Sequence, residues 1–204
     1  MDTRATRRPR RSDAQRSIDA IVSAARSLLR DRPDASIEEI AAAAGVTRQT
    51  VYAHFSSRDR LVAEIVNAER AEGLAAVEAA SLDAMPPVEA LRRFLQISWE
   101  IVDRCPLALE PVYAKTPGPD GGDAHQMVAH HLERIVRRGQ RSGDFDRAMP
   151  ADWLTEAIFG LGHTAAEQAA AGRHAIHEAA RLLESSALRL LGATAEPRPA
   201  PQDP

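Results

Sequence analysis

Between Ser36 and Phe55 the chain places a helix start, a helix stop and a second helix start within twenty residues, and that density leaves little choice of fold. Ser36 and Glu39 have the spacing of a capping box, in which the serine oxygen and the glutamate carboxylate each satisfy an orphan backbone N–H at a helix start. Ile37, Ile40, Ala41 and Ala44 follow as its buried side. Gly45 supplies the left-handed residue that ends a helix, and only Val46 separates it from Thr47, a good N-cap for the next. Two helices joined by so short a turn must cross steeply. Ala41 is small enough to let the backbones approach, and Ile40, Val51 and Phe55 fill the angle against a preceding helix.

The flanking sequence is helical as well. Ile18, Ile21, Val22, Ala25, Leu28 and Leu29 mark one face of a helix over 13–30, closed by Pro33. Ser57 caps a helix over 58–80 with Leu61, Ile65, Ala68 and Leu74 inward. Pro86 and Pro87 open another, to residue 104, with an apolar face of Val88, Leu91, Phe94, Leu95, Ser98, Ile101 and Val102. A short helix over 106–113, a Pro- and Gly-rich loop, and helices over 123–142, 150–171 and 174–191 complete the chain, with Met127, Val128, His131, Leu132 and Ile135 facing inward in the first of these three. Alanine is about a fifth of the chain, aromatics are 4% and β-branched runs are scarce, so local propensities favour helix over strand throughout. The expectation is an all-α protein of about nine helices: a basic arm without fixed structure over 1–12, a helix-turn-helix domain over 13–60, a larger helical domain over 61–191, and a disordered Pro-rich tail over 192–204.

At 36–61 the sequence resembles the DNA-binding signature of the TetR family of transcriptional regulators. Thr47-x-x-x-Val51-Tyr52-x-His54-Phe55, followed by Ser57-Arg58 and Leu61, carries the likeness. It departs in the preceding loop, where Asp31-Arg32-Pro33-Asp34 stands in place of a glycine and an aromatic. The resemblance implies an all-α homodimer acting as a ligand-relieved repressor, and implies that Ser36, Thr47, Arg48, Gln49, Thr50, Tyr52, His54 and Arg58 touch a double-stranded DNA operator. Residue chemistry divides the work among them. Arg48 forks onto guanine O6 and N7 and Gln49 pairs with adenine N6 and N7, whereas Thr50, Tyr52, His54 and Arg58 suit phosphates. The alternatives are a helical small-molecule-binding module that never engages DNA, and a transcriptional activator of the same fold.

Charge fits that division. Residues 1–60 carry 12 Arg against 8 Asp and Glu, a balance of +4, while the remainder carries −7. Arg4, Arg7, Arg8, Arg10 and Arg11 concentrate the basic excess, and both a solvated tail and a nucleic-acid contact suit them. Cys105, the single cysteine, excludes intrachain disulfides and reads as buried packing in a reducing cytoplasm. No apolar stretch approaches the roughly 18 residues of a membrane span. His125, His130 and His131 do not share a helix face, and His174 and His177 stand at an exposed helix start, so no metal or other cofactor is expected. No hydrolase or phosphate-loop motif is present, and an enzyme is not expected.

The last two helices carry Ala157, Gly160, Leu161 and Thr164 on one and Ile176, Ala180, Leu183, Ala187 and Leu190 on the other, a surface too apolar for water and expected to pair with a second copy. A small, mostly apolar effector is expected within the larger domain. Trp99, Tyr113, His131 and His163 are its candidate handles because each joins an apolar body to one hydrogen-bonding group; ordinary core packing is the alternative for each.

Overall fold

A computed structural model describes residues 8–109 and 124–193. Among them are eight α-helices and no strand. These are α1 (Arg8–Asp31), α2 (Ile37–Ala43), α3 (Arg48–His54), α4 (Arg58–Ala79), α5 (Pro87–Arg104), α6 (Ala124–Ser142), α7 (Ala151–Ala170) and α8 (Ile176–Leu190), with single 3-10 turns at Leu82–Ala84 and Pro106–Leu109. The chain divides into two compact units: one runs to Glu69 and includes the turn that follows Arg104, and the other holds 70–103 and the helices from α6 onward.

In the first unit, α2 packs on α1 and α3, and α1 also meets α3. Ile21, Ala25 and Leu29 of α1, Ile37, Ile40 and Ala41 of α2, Val51 and Phe55 at α3, and Leu61, Val62, Ile65 and Val66 of α4 are all buried. Helix α1 begins at Arg8 and not at residue 13, so the end of the expected arm is helical. Pro9 allows this, because a proline in the first turn lacks only an N–H that would have no partner there. The unit also extends past residue 60. Val62, Ile65 and Glu69 line one small cavity with Leu29, Cys105 and Leu107, which carries the contacts along α4 to Glu69. Glu69 is itself only 3% exposed; its carboxylate stands 3.4 Å from Arg26 Nε and 3.0 Å from Arg104 Nε. The expected inward residues Ala68 and Leu74 are half-buried, while Glu69 and Val77 are buried.

The second unit has one core, in which Leu91, Phe94 and Ile97 of α5 join Leu132, Ile135 and Val136 of α6, Leu154 and Ile158 of α7, and Leu183, Ala187 and Leu191 at α8. Helix α7 packs on both α6 and α8. Arg92 ties α5 to Glu184 of α8 at 3.0 Å, and Arg138 donates to the carbonyl of Leu82 at 2.9 Å and to that of Asp83. Met127, expected inward, is 44% exposed, because it precedes the stretch of α6 that meets the core.

Gly139 is where α6 admits the chain that turns back on it. A Cβ there would lie 2.1 Å from the ring of the buried Phe145, whose backbone N–H donates to the Gly139 carbonyl at 3.1 Å. Gly139→Ala is therefore expected to destabilise the protein by about 1–3 kcal/mol, the usual range for overpacking a core. Urea unfolding monitored by circular dichroism measures the shift.

Candidate nucleic-acid interface

The reading head is built from its caps. The Ser36 hydroxyl accepts from the Glu39 N–H at 3.3 Å, and Glu39 Oε2 accepts from the Ser36 N–H at 2.8 Å and from its hydroxyl at 2.9 Å. Arg32 closes the arrangement by donating to the other Glu39 oxygen. The bonds from Ser36 and Arg32 hold the Glu39 carboxyl down from 4.5 to about 2. At the far end Gly45, with φ +67°, lets the Gly45 and Val46 N–H groups turn back onto the carbonyls of Ala42 and Ala41. Thr47 then opens α3, its hydroxyl accepting from the Thr50 N–H at 3.1 Å.

Helix α3 buries Val51 and hands the chain to buried Phe55. Arg48, Gln49, Tyr52 and Ala53 are exposed on it; Thr50 and His54 are half-buried. That exposed face is polar, and Arg48 is its only formal charge. Arg48 Nη1 lies 2.6 Å from Glu38 Oε1 of α2, and its guanidinium carbon lies 5.2 Å from the Tyr52 ring centre. Sequence reading passed over Glu38, because a carboxylate in the first turn of a helix needs no explanation beyond the helix dipole.

Two expected DNA contacts have work inside the fold. Ser36 is engaged in its own cap. Arg58 donates from Nε to the Ala35 carbonyl at 2.8 Å and from Nη2 to that of Pro33, so it braces the start of α4 against the loop before α2. The phosphate role expected for Arg58 is left to its remaining donors. Nothing local in the sequence announces a bond across 23 residues.

The second unit sorts its expected residues by burial. Gly160, Thr164 and Ile176 are exposed, and Ala157, Leu161, Ala180 and Leu190 half-buried. Leu183 and Ala187, expected on an outer face, are 6% and 0% exposed and belong to the subunit's own core. The sequence stripe straddled two faces of α8: residues 179, 183, 187 and 191 point inward, and Leu182, 46% exposed, lies outward. Leu182, Leu161, Thr164, Gln168 and Ser186 border a shallow groove of about 120 Å³ between α7 and α8. Trp99 is half-buried against the core, and its indole N–H finds no hydrogen-bond partner among the described residues; neither does the Ser98 hydroxyl beside it. His163 Nδ1 is 2.8 Å from the Phe159 carbonyl, His131 is half-buried, and Tyr113 lies outside the described residues. Among the described residues no three His, Cys, Asp or Glu are grouped to hold a metal, and no helix is long and apolar enough to cross a membrane.

Two short capped helices crossing on a third, with the second presenting a polar face, define a helix-turn-helix DNA-binding protein. Residues 21–65 match the profile of "Bacterial regulatory proteins, tetR family". The HTH-type transcriptional regulator NfxB of Pseudomonas aeruginosa is 29% identical over 158 residues, covering 76% of this chain and 83% of NfxB. The HTH-type transcriptional repressor LfrR of Mycolicibacterium smegmatis is 29% identical over 170 residues, covering 81% and 86%. The crystal structure of LfrR in complex with proflavine has the same fold, with a TM-score of 0.64 at 24% identity over 85% of this chain and 94% of that one. FadR of Bacillus subtilis, solved with stearoyl-CoA, aligns with a TM-score of 0.66 at 14% identity over 86% and 98%.

Two outcomes follow from the caps. Glu39, with its carboxyl held below 4.5, stabilises the fold fully above about pH 4.5, and that contribution is lost as pH falls toward about 2. The melting temperature of Glu39→Gln should therefore lie below that of the wild type near neutrality and converge on it across that window. Arg58→Ala should lower stability by about 1–2 kcal/mol, because two carbonyls lose a charged donor. Chemical denaturation of both proteins checks it.

Proposed function

We propose that the protein is a homodimeric repressor that binds a near-palindromic operator and is released by a small, mostly apolar effector. The observation that carries the reading is the exposed face of α3, polar and nearly uncharged, with Arg48 at its first turn. Such a face lies against base edges in a major groove instead of clinging to phosphates. Arg48 and Gln49 read bases. Thr50, Tyr52, His54 and the spare donors of Arg58 hold phosphates and set register. LfrR, named a repressor and similar over most of both chains, supports the negative sign of regulation.

Dimerisation uses α7 and α8. Gly160 faces open space, Ile176 and Leu182 are exposed, and the groove between the helices is mostly apolar, so a second copy related by a two-fold axis buries what water does not favour. Two reading heads so related demand inverted half-sites. Gly160→Arg and Leu182→Arg are expected to fold, to appear as monomers by light scattering, and to bind operator at least tenfold more weakly. Monomers that bind as tightly as the wild type would contradict the arrangement.

The effector is held in the second unit, with the Trp99 indole N–H and the Ser98 hydroxyl as its donors. Both atoms are buried without partners among the described residues, a state that costs free energy unless an acceptor arrives. Helix α4 runs unbroken from the first unit into the second, so a ligand that favours a displaced α4 displaces the reading heads. Weakening operator binding a hundredfold requires that the ligand prefer the released state by about 2.7 kcal/mol. The test begins with gel mobility of the upstream region of the protein's own gene at two salt concentrations, where retention should fall steeply with salt. Mostly apolar organic compounds, and beside them the planar aromatic cation proflavine with which LfrR was solved, are then screened for raised melting temperature and operator release. Compounds that stabilise the wild type should do so less for Trp99→Phe, which stays aromatic and apolar but loses the N–H together with the five-membered ring that carries it.

A further inference from the structure

We infer that Glu38 is a positioning residue for DNA reading: with the Tyr52 ring it holds the Arg48 guanidinium in the orientation that meets a guanine edge. The inference rests on the base-reading role proposed for Arg48. Two groups converge on one side chain. Glu38 stands in the first turn of α2 and Arg48 in the first turn of α3, and their side chains meet across the tight turn through Gly45 and Val46. The carboxylate engages Nη1 at 2.6 Å from one direction, and the Tyr52 ring, one helical turn along α3, lies 5.2 Å from the guanidinium carbon. A guanidinium has five N–H donors in a fixed plane, so one engaged donor leaves enough of the fork for O6 and N7 of guanine.

Stability does not account for the pair. Both side chains are more than half exposed, and ion pairs in such positions add little to a fold. A carboxylate on a surface that approaches DNA also repels phosphates, which lowers affinity for every sequence alike. What it returns is selectivity. An unrestrained arginine beside DNA takes whichever phosphate is nearest, and ordering it onto one base edge costs rotamer freedom. An arginine already held by a carboxylate and a ring loses less on meeting guanine and gains less from a lone phosphate.

The experiment uses the full chain and a duplex that the wild-type protein enriches from a random pool. Arg48→Ala first identifies the guanine: its base preference should vanish at one position in each half-site. Discrimination is then the ratio of affinities for that duplex and for one with the guanine replaced. Glu38→Gln should leave the melting temperature near the wild-type value, keep or raise affinity for unrelated DNA, and lower discrimination by about two- to tenfold, the range expected for releasing one long side chain. In the Arg48→Ala background the same change should alter discrimination no further. Discrimination that is unchanged or sharper in Glu38→Gln, while Arg48→Ala abolishes it, overturns the positioning role and leaves the reading role of Arg48 intact. Base preference that survives Arg48→Ala, or a wild type that enriches no duplex, overturns the reading role and the positioning role together.

Discussion

A helix of seven residues does not stand alone in water, since nucleation costs more than so few hydrogen bonds return, and the DNA-binding unit depends on two of them. Helix α2 exists because both of its ends are finished: Ser36 and Glu39 satisfy the first turn, and Gly45 and Val46 close the last. Its inner side, Ile37, Ile40 and Ala41, is buried. Helix α3 borrows the same devices through Thr47, Val51 and Phe55. Arg58 adds the brace that local capping lacks, by joining the start of α4 to the carbonyls before α2. The exposed face of α3 is usable because everything beneath it is fixed.

The other end of that unit is held electrostatically. Glu69 is buried on α4 between Arg26 of α1 and Arg104 at the end of α5. Burying a carboxylate costs several kcal/mol unless a cation meets it, and here two do. The two arginines therefore offset the cost of burying Glu69 on α4.

Much of this was legible in the sequence because its causes are local. A capping box, a left-handed glycine and a threonine cap each lie within four residues of their partners, so 36–55 could be read directly. The start of α1 was misplaced because a run of arginines beside Pro9 looks like a tail when only apolar spacing is counted. The bracing role of Arg58, and Glu38 and Glu69 altogether, escaped for a different reason: their partners lie 10 to 43 residues away, and spacing within one helix cannot reveal them. On α8 the stripe mixed two faces, Ile176 being exposed and Leu183 and Ala187 buried. Leu183 and Ala187 are buried in their own core, and Leu182, one residue away, carries the exposed surface.

The central claim is that the exposed face of α3 enters the major groove twice, once from each copy of the chain. Dimethyl sulfate reports this directly, because it methylates guanine N7 in the major groove and adenine N3 in the minor groove. On a duplex retained by the protein, guanine N7 should be protected in two clusters related by a two-fold axis and lying on one side of the duplex. Premethylation of those guanines should block binding, and adenine N3 between the clusters should stay reactive. Protection confined to adenine N3, or a single cluster without a symmetry mate, would contradict the account.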